Sequence, residues 1–488
     1  SLTEIEKLAL TPTIVYSGKR LMTEKIARLL AVRMPPLSNE QQTRVKQAFR
    51  QILIDHHGDN LIQKSYQKHI ENTGIAFHHS GLPPPIRASI EALLKKGILR
   101  ICVATSGLSL GINFSVKSTM IADLQRPGDQ GITLYSASDI LQMTGRAGRR
   151  GKDLKGYSLW PSLGYFLAMA KTRRNPIYPR LKHDATTFLG LVDKGYSLAT
   201  TQELYQKSFD QYQKPSSRVQ LLSYPVLEEH FVSGRELKHK SPLCANQSPA
   251  HAYSRYIRSQ PSVCRQCFLR SNCHHFISRS YQDPLAKLHL HLHKIGAIGS
   301  DDQLTDYGKI AKYLPHSGGL YLAKLISSQT VTLHDLVELM ACFSLAHYKS
   351  PTVSLTYEPR FHKHKVLRAI HFLYPEQLFS HLYETNTRAR HQMSKTAPQT
   401  QYIEFHPDAG YLIQLWTSGI SWQQITREVT TAYFAEGDLF SLFYKVSNYL
   451  QSVHKAHLGD LSDEALRLRE YILRPPLDYS YQATSNSN

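Results

Sequence analysis

The feature that most constrains this chain is an alternation, from residue 10 to about 165, of short β-branched runs with segments of helical pattern. TPTIVYSG from Thr11 reads as a buried strand, Thr23 to Leu30 as a helix, ILRICVAT from Ile98 as a second strand and STMIADL from Ser118 as a third. Strands separated by helices return in parallel, and a parallel sheet needs helices on both faces. The polar, helical stretch from Pro35 to Lys68 reads as an excursion from that sheet.

At 488 residues the chain exceeds a single core, and the length prior suggests several domains. Residues 166 to 300 read as helices interrupted by a cysteine-bearing insertion. LHLHLHKIGAIGSDDQLTDYGKIA, starting at Leu288, predicts a helix, a short turn with Gly299 and Asp301, and another helix, which suits a winged-helix unit. Residues 305 to 455 read as nearly all α, and the end, YQATSNSN, as disordered. The boundaries expected are 1–165, 166–304 with the insertion at about 240–280, 305–474, and a tail from 475 to 488.

Charge narrows the partner. Lys and Arg number 58 against 38 Asp and Glu, a formal +20. Such an excess favours a polyanion, because neutralising phosphates releases condensed counterions. No run of eighteen or more apolar residues is present, so no membrane span is expected. SLTEIEKLAL lacks the basic head and apolar core of a signal peptide and has no initiator Met. It reads as a chain entered midway, in a cytoplasmic protein.

The chemistry lies in ordered blocks. LQMTGRAGRRG, Leu141 to Gly151, carries Arg146 and Arg149 three residues apart, neighbours if the segment is helical. Gly145 and Gly148 remove side chains that would obstruct a phosphate. Guanidinium forks aimed at a γ-phosphate stabilise charge developing during transfer. By itself the segment would equally suit a basic RNA-binding loop. Upstream, ATSGLSLGINF places Thr105 and Ser106 at the end of a buried strand, where parallel sheets bind ligands. Earlier still, AFHHSGLPPPIRASIEALLKKG puts His79, Ser80 and Gly81 on a loop, with Arg87 and Glu91 on the next helix.

In this order the blocks resemble the second RecA-like domain of superfamily 2 helicases, specifically the Ski-type DExH-box family, over residues 11 to 160. The resemblance implies an α/β RecA-like parallel-sheet domain followed by winged-helix and all-α helical-bundle domains. It implies that Gln142, Arg146 and Arg149 face the nucleotide, Arg149 as the finger, with Gly111, Asn113 and Gly145 near the ribose and phosphates. Ser17, His79, Ser80, Thr105 and Arg87 would hold the nucleic-acid backbone. DLQRPGDQGITLYSASD, with its Pro127-Gly128 turn signal, stands where the family carries a strand-separating β-hairpin. Phe114-Ser115-Val116 departs from the family's Leu-Pro-Ala-like stretch.

Further on, DATTFLGLVDKGYSLATTQELYQKSF resembles the start of the family's winged helix, and QLTDYGKIAKYL its exit. LIQLWTSGISWQQI and EGDLFSLFYKVSNYLQSV resemble its ratchet bundle, with Trp416 and Trp422 expected in the core. The activity implied is ATP-driven translocation along single strands, 3′ to 5′, with duplex separation. The alternatives are a non-catalytic nucleic-acid-binding scaffold, or a remodeller that displaces proteins without unwinding. The strand would be single or partly duplex, DNA ahead of RNA.

No G-x-x-x-x-G-K-[ST] occurs, and SGKR at Ser17 fails that pattern. ATP with Mg2+ would then be bound jointly with a first RecA-like domain upstream, and these residues alone should be inactive. Cys244, Cys264, Cys267 and Cys273 give C-x19-C-x2-C-x5-C, which suits a [4Fe–4S] cluster or, alternatively, Zn2+. Cys102 and Cys342 read as buried packing residues. His289, His291 and His293 alternate, and on a helix they are expected to spread around it with no ligating role.

Overall fold

The computed structural model describes residues 9–109, 115–128, 131–149, 151, 153–170, 184–207, 285–286, 288–314, 319–328, 332–344, 407–428 and 434–478. The first part is the expected parallel sheet. Its strands are β1 (Thr13–Tyr16), β2 (Ile75–His78), β3 (Ile101–Ala104), β4 (Ser118–Ile121) and β7 (Tyr157–Leu159), in the order β2-β3-β1-β4-β7. All neighbours are parallel, with Thr13 opposite Ile101 and Ser118. An antiparallel hairpin, β5 (Gln125–Gly128) with β6 (Gly131–Leu134), stands apart from it.

Helices α1 (Arg20–Arg33), α2 (Asn39–Asp55), α3 (Lys64–Thr73), α4 (Pro84–Lys95) and α5 (Ala137–Thr144) accompany this sheet. Their ends follow local rules. Ser38 and Gln41 form a capping box before α2, Ser136 and Asp139 another before α5, and Gly74 at φ 64° ends α3. The stretch from Pro35 to Lys68 is not an excursion. Val45, Phe49, Ile52, Leu53 and Tyr66 belong to the same buried core as Ile14, Ile101 and Val103. The physical reason is the edge strand: the Tyr66 hydroxyl donates to Phe77 O (2.6 Å) and accepts from Phe77 N (2.9 Å). A strand edge with no such partner would leave those groups unpaired. The strand β2 itself, IAFH, went unread in the sequence.

After α6 (Leu163–Ala170) come α7 (Ala185–Asp193) and α8 (Leu198–Gln206), a helix α9 over 288–294, and α10 (Asp306–Ala311). The predicted helix–turn–helix is present, with an isolated bridge between Ile298 and Leu304 closing the turn. Helices α11 (Gly319–Ser327), α12 (Leu333–Cys342), α13 (Pro407–Thr417), α14 (Trp422–Glu428), α15 (Glu436–Lys455) and α16 (Asp460–Ile472) complete the described elements. One buried cluster runs from Phe188 on α7 to Leu477. On α15 Leu439, Phe443, Val446, Leu450 and Val453 recur at helical spacing and are buried. Trp416 and Trp422 lie in this core as expected, and Cys102 and Cys342 are buried.

Two further expectations need correction. The tail does not begin at 475: Leu477 is fully buried and its carbonyl accepts from the Tyr444 hydroxyl, so an apolar side chain anchors the chain beyond α16. The histidines do not all diverge either. His289 and His293, four residues apart on α9, share one face. Among the described residues no helix is long and apolar enough to cross a membrane.

Candidate functional site

In a parallel sheet every strand ends on the same edge, so residues that follow the strands collect there. His79 follows β2, Thr105 follows β3 and Ser17 follows β1, on three adjacent strands about 4.8 Å apart. Backbone bonds continue the register past the strands: Ser17 N donates to Ala104 O (2.9 Å) and Thr105 N to His78 O (3.1 Å). Ser17 and His79 are buried, Thr105 is half-buried and Ser80 is exposed.

His79 is fixed through Nδ1. Its Nδ1 accepts from Gly81 N (3.1 Å), which leaves the proton on Nε2, facing Glu24 Oε1 at 3.4 Å. That imidazole holds the Glu24 carboxyl below the usual carboxylate range. The neighbouring His78 bonds Glu91 through Nε2 (2.8 Å), and burial lowers its pKa while Glu91 opposes the shift. Arg87, on α4, is half-buried, and burial lowers its pKa as well.

The backbone of the arginine segment is strapped to the residues that precede β4, at the other end of that strand. Val116 N donates to Arg146 O (2.9 Å) and Gly148 N to Val116 O (2.7 Å), making a parallel bridge between Val116 and Ala147. Gly148 sits at φ 94°, a conformation side chains rarely adopt. The Arg146 guanidinium donates to Ser109 O (2.5 Å), in the 3-10 turn Ser106–Ser109 that follows β3. Arg149 instead makes a fork with Asp153: Nε to Oδ2 at 2.7 Å and Nη2 to Oδ1 at 2.9 Å. This pairing draws the Asp153 carboxyl down to about 2. Gln142 and Gly145 are exposed, on and just after α5.

Gly111, Asn113 and the four cysteines Cys244, Cys264, Cys267 and Cys273 lie outside the described residues. The hairpin appears where it was expected, with Gln125 opposite Leu134. Its base is packed against the edge: a Cβ on Gly18 would lie 1.7 Å from Gln125 O.

Sequence reasoning missed how the loop after β2 is covered. Arg20, at the start of α1, donates to both Asp438 oxygens (2.5 and 3.0 Å) and to Ser80 Oγ (2.7 Å). Gly437 N donates to Gly81 O (2.9 Å). Both pieces were visible, SGKR as a failed P-loop and EGD at the head of the bundle-like EGDLFSLFYKVSNYLQSV, but no local signal links residues this far apart.

Comparison with known proteins agrees with this geometry. Residues 35–151 match the helicase conserved C-terminal domain, and residues 301–479 the DSHCT (NUC185) domain. Together these stretches cover more than half of the chain. DExH-box ATP-dependent RNA helicase DExH10 of Arabidopsis thaliana is 24% identical over 209 residues, covering 41% of this chain and 21% of that protein. ATP-dependent RNA helicase mtr4 of Schizosaccharomyces pombe is 30% identical over 150 residues, 30% of this chain and 13% of the relative. ATP-dependent DNA helicase Hel308 of Thermoplasma volcanium is 40% identical over 86 residues, 18% of this chain and 13% of the relative. The matched stretches thus span about a fifth or less of these relatives' own lengths. The chain belongs to the Ski-type DExH-box family of superfamily 2 helicases and corresponds to the C-terminal part of its members.

Proposed function

We propose that these residues form the C-terminal half of an ATP-dependent helicase that tracks single-stranded nucleic acid 3′ to 5′ and separates duplexes. The observation that carries the reading is the C-terminal edge of the sheet, where His79, Thr105 and Ser17 follow three adjacent strands and the Arg146 guanidinium is tied to Ser109 O in the turn after β3. Hydroxyls and backbone N–H groups at such an edge suit a sugar-phosphate backbone. The formal charge of +20 supports the same partner. Relatives named as RNA helicases and as a DNA helicase both align, and the choice of DNA remains the proposal made from the sequence.

In this reading residues 1–165 are the second RecA-like domain, 166–304 the winged helix with its insertion, and the ratchet-type bundle runs from 305 through the buried Leu477. Gln142, Gly145, Arg146 and Arg149, with Gly111 and Asn113, face ATP and Mg2+ held jointly with a first RecA-like domain. Arg149 leaves Asp153 to reach the γ-phosphate, and Asp153 keeps the fork aligned until then. Ser80 and Arg87 extend the strand-binding edge. At Cys244, Cys264, Cys267 and Cys273 the spacing supports four thiolate ligands to a [4Fe–4S] cluster, or to Zn2+. Iron and zinc analysis of anaerobically purified protein decides between them.

The test has two parts. The 488-residue chain should bind single strands with steep salt dependence yet hydrolyse no ATP. Joined to its first RecA-like domain, Arg149→Ala should lower ATP turnover about a thousandfold with strand binding little changed. Turnover within about threefold of wild type would remove Arg149 from the nucleotide site. Hydrolysis by the pure chain would overturn the division of labour.

A further inference from the structure

On α9 and the turn that follows it, three ligating atoms converge on one point. His289 and His293 lie on one face of α9 with their Nε2 atoms 3.1 Å apart. Asp302 Oδ1 is 2.7 Å from His293 Nε2 and 3.3 Å from His289 Nε2. Both rings are half-buried, while Asp302 is largely exposed.

The carboxylate is held there by a built turn. Gly299 N donates to Gln303 O (2.8 Å), Asp302 N to Gly299 O (3.1 Å) and Gln303 N to Asp301 Oδ1 (3.1 Å). The Ile298–Leu304 bridge closes the turn behind them. Asp302 itself sits at φ 58°, in the left-handed region. Non-glycine residues enter that region at a cost, Asp and Asn more easily than others. The backbone thus spends a strained position to aim this carboxylate at two imidazoles.

With a proton on each Nε2, both rings can donate to Asp302 Oδ1, but the two Nε2 atoms then stand 3.1 Å apart with no bond between them. A single cation at the centre satisfies all three atoms at once. Around tetrahedral zinc, ligands at ~2.0–2.1 Å stand ~3.3–3.4 Å from one another. The two sides that end on Asp302, 2.7 and 3.3 Å, reach that spacing by a small rotation of the exposed carboxylate, and the His289–His293 side, 3.1 Å, by a slight opening of the two rings. Two imidazoles and one carboxylate select zinc over the hard cations, which take all-oxygen shells.

We infer that His289, His293 and Asp302 form a Zn2+ site, with its fourth position open to water, that staples the turn 299–303 to α9. Three protein ligands suffice for such an open site, and it stands independently of the helicase reading. Bound zinc stabilises the folded chain by mass action, because the unfolded chain does not hold the three ligands together.

The experiment uses the full chain, stripped with a chelator and reloaded with Zn2+ or Co2+. Asp302→Asn is the main variant, because Asn tolerates the left-handed backbone and so leaves the turn intact. His289→Gln is the second. Each variant should take up one zinc ion fewer than wild type, or bind that ion at least ~10-fold more weakly. Cobalt at this site should give visible d–d bands without thiolate-to-metal charge transfer. Those bands should vanish in both variants, while any thiolate charge transfer from the cysteines stays unchanged. Zinc uptake and cobalt spectra identical in wild type and Asp302→Asn would overturn the site. So would a wild-type chain whose only bound metal shows thiolate charge transfer; the triangle would then be an ordinary His–Asp ion pair.

Discussion

Arg20 grips Asp438 across 418 positions of sequence, Nη1 to Oδ2 at 2.5 Å and Nη2 to Oδ1 at 3.0 Å. The Asp438 side chain is 2% exposed and that of Arg20 25%, so the pair is partly shielded from water. Oδ2 also accepts from Ala435 N (3.1 Å), so the same carboxylate caps α15. The fork joins the helix after β1 to the start of the longest C-terminal helix, directly over the His79–Leu82 loop.

Asp438→Ala should therefore cost about 2–4 kcal/mol, since it strands a partly buried guanidinium and removes a helix cap. Arg20→Lys keeps the charge but loses the fork and should cost less. Urea unfolding followed by tryptophan fluorescence measures both. An Asp438→Ala protein within ~0.5 kcal/mol of wild type would mean the pair holds nothing together.

The backbone beside this pair makes a second, separate prediction. A Cβ on Gly437 would lie 2.5 Å from both Ser80 O and Leu82 O. Gly437→Ala should push α15 off the loop, break the Gly437–Gly81 bond and destabilise by about 1–3 kcal/mol. Gly190, on α7, meets nothing within 4 Å, and Gly190→Ala should stabilise by up to ~1 kcal/mol. Equal effects at the two sites would deny the close approach.

How much of this was legible depends on the range of the signal. β1, β3, β4, α4 and the hairpin were readable because β-branched runs, a Pro at a helix start and a Pro-Gly turn act locally. The strand IAFH was missed because it ends in His78 and His79 follows, which disguises its buried end. Its pairing with Tyr66, like that of Arg20 with Asp438, carries no periodicity at all. The convergence of His289 and His293 needed only helical spacing, but the alternating histidines drew attention to period two instead of four. The contribution of Asp302 comes from a left-handed turn that no motif announces.

Stability should depend on pH through His78 and Asp153 in separate ranges. Burial lowers the pKa of His78, so between that value and about 6.5 the unfolded chain binds a proton that the folded chain does not. Stability should fall as pH drops below about 6.5. His69 and His291 shift the same way for the same cause, so His78→Phe should flatten the slope only in part. The carboxyl of Asp153, drawn to about 2 by Arg149, contributes fully above about 4 and loses its share as pH falls from there toward 2. Thermal melts of wild type, His78→Phe and Asp153→Asn across these ranges test both. A His78→Phe slope equal to that of wild type would remove His78 from the account.

Under the proposed helicase reading, the hairpin gives the sharpest test that separates strand opening from ATP turnover. Its base is fixed: Arg126 pairs with Asp139 (3.3 Å) and lies over the Tyr135 ring (5.4 Å), and Gly18 packs beneath Gln125 O. On β6, Ile132 and Leu134 are 61% and 68% exposed, and at i and i+2 they share one face of the ribbon. A two-stranded ribbon has no core of its own to cover such side chains. Apolar wedges that unstack bases have this character, a rigid base carrying exposed branched side chains. Changing Ile132 and Leu134 together to Ser, in the protein joined to its first RecA-like domain, should slow duplex separation about tenfold or more. Strand-stimulated ATP turnover should stay within about twofold, because neither residue lies at the arginine segment. The measurement is parallel unwinding and ATPase assays on one substrate. Unwinding unchanged would make the hairpin an ordinary surface ribbon, and loss of both activities together would make it part of the strand-binding edge.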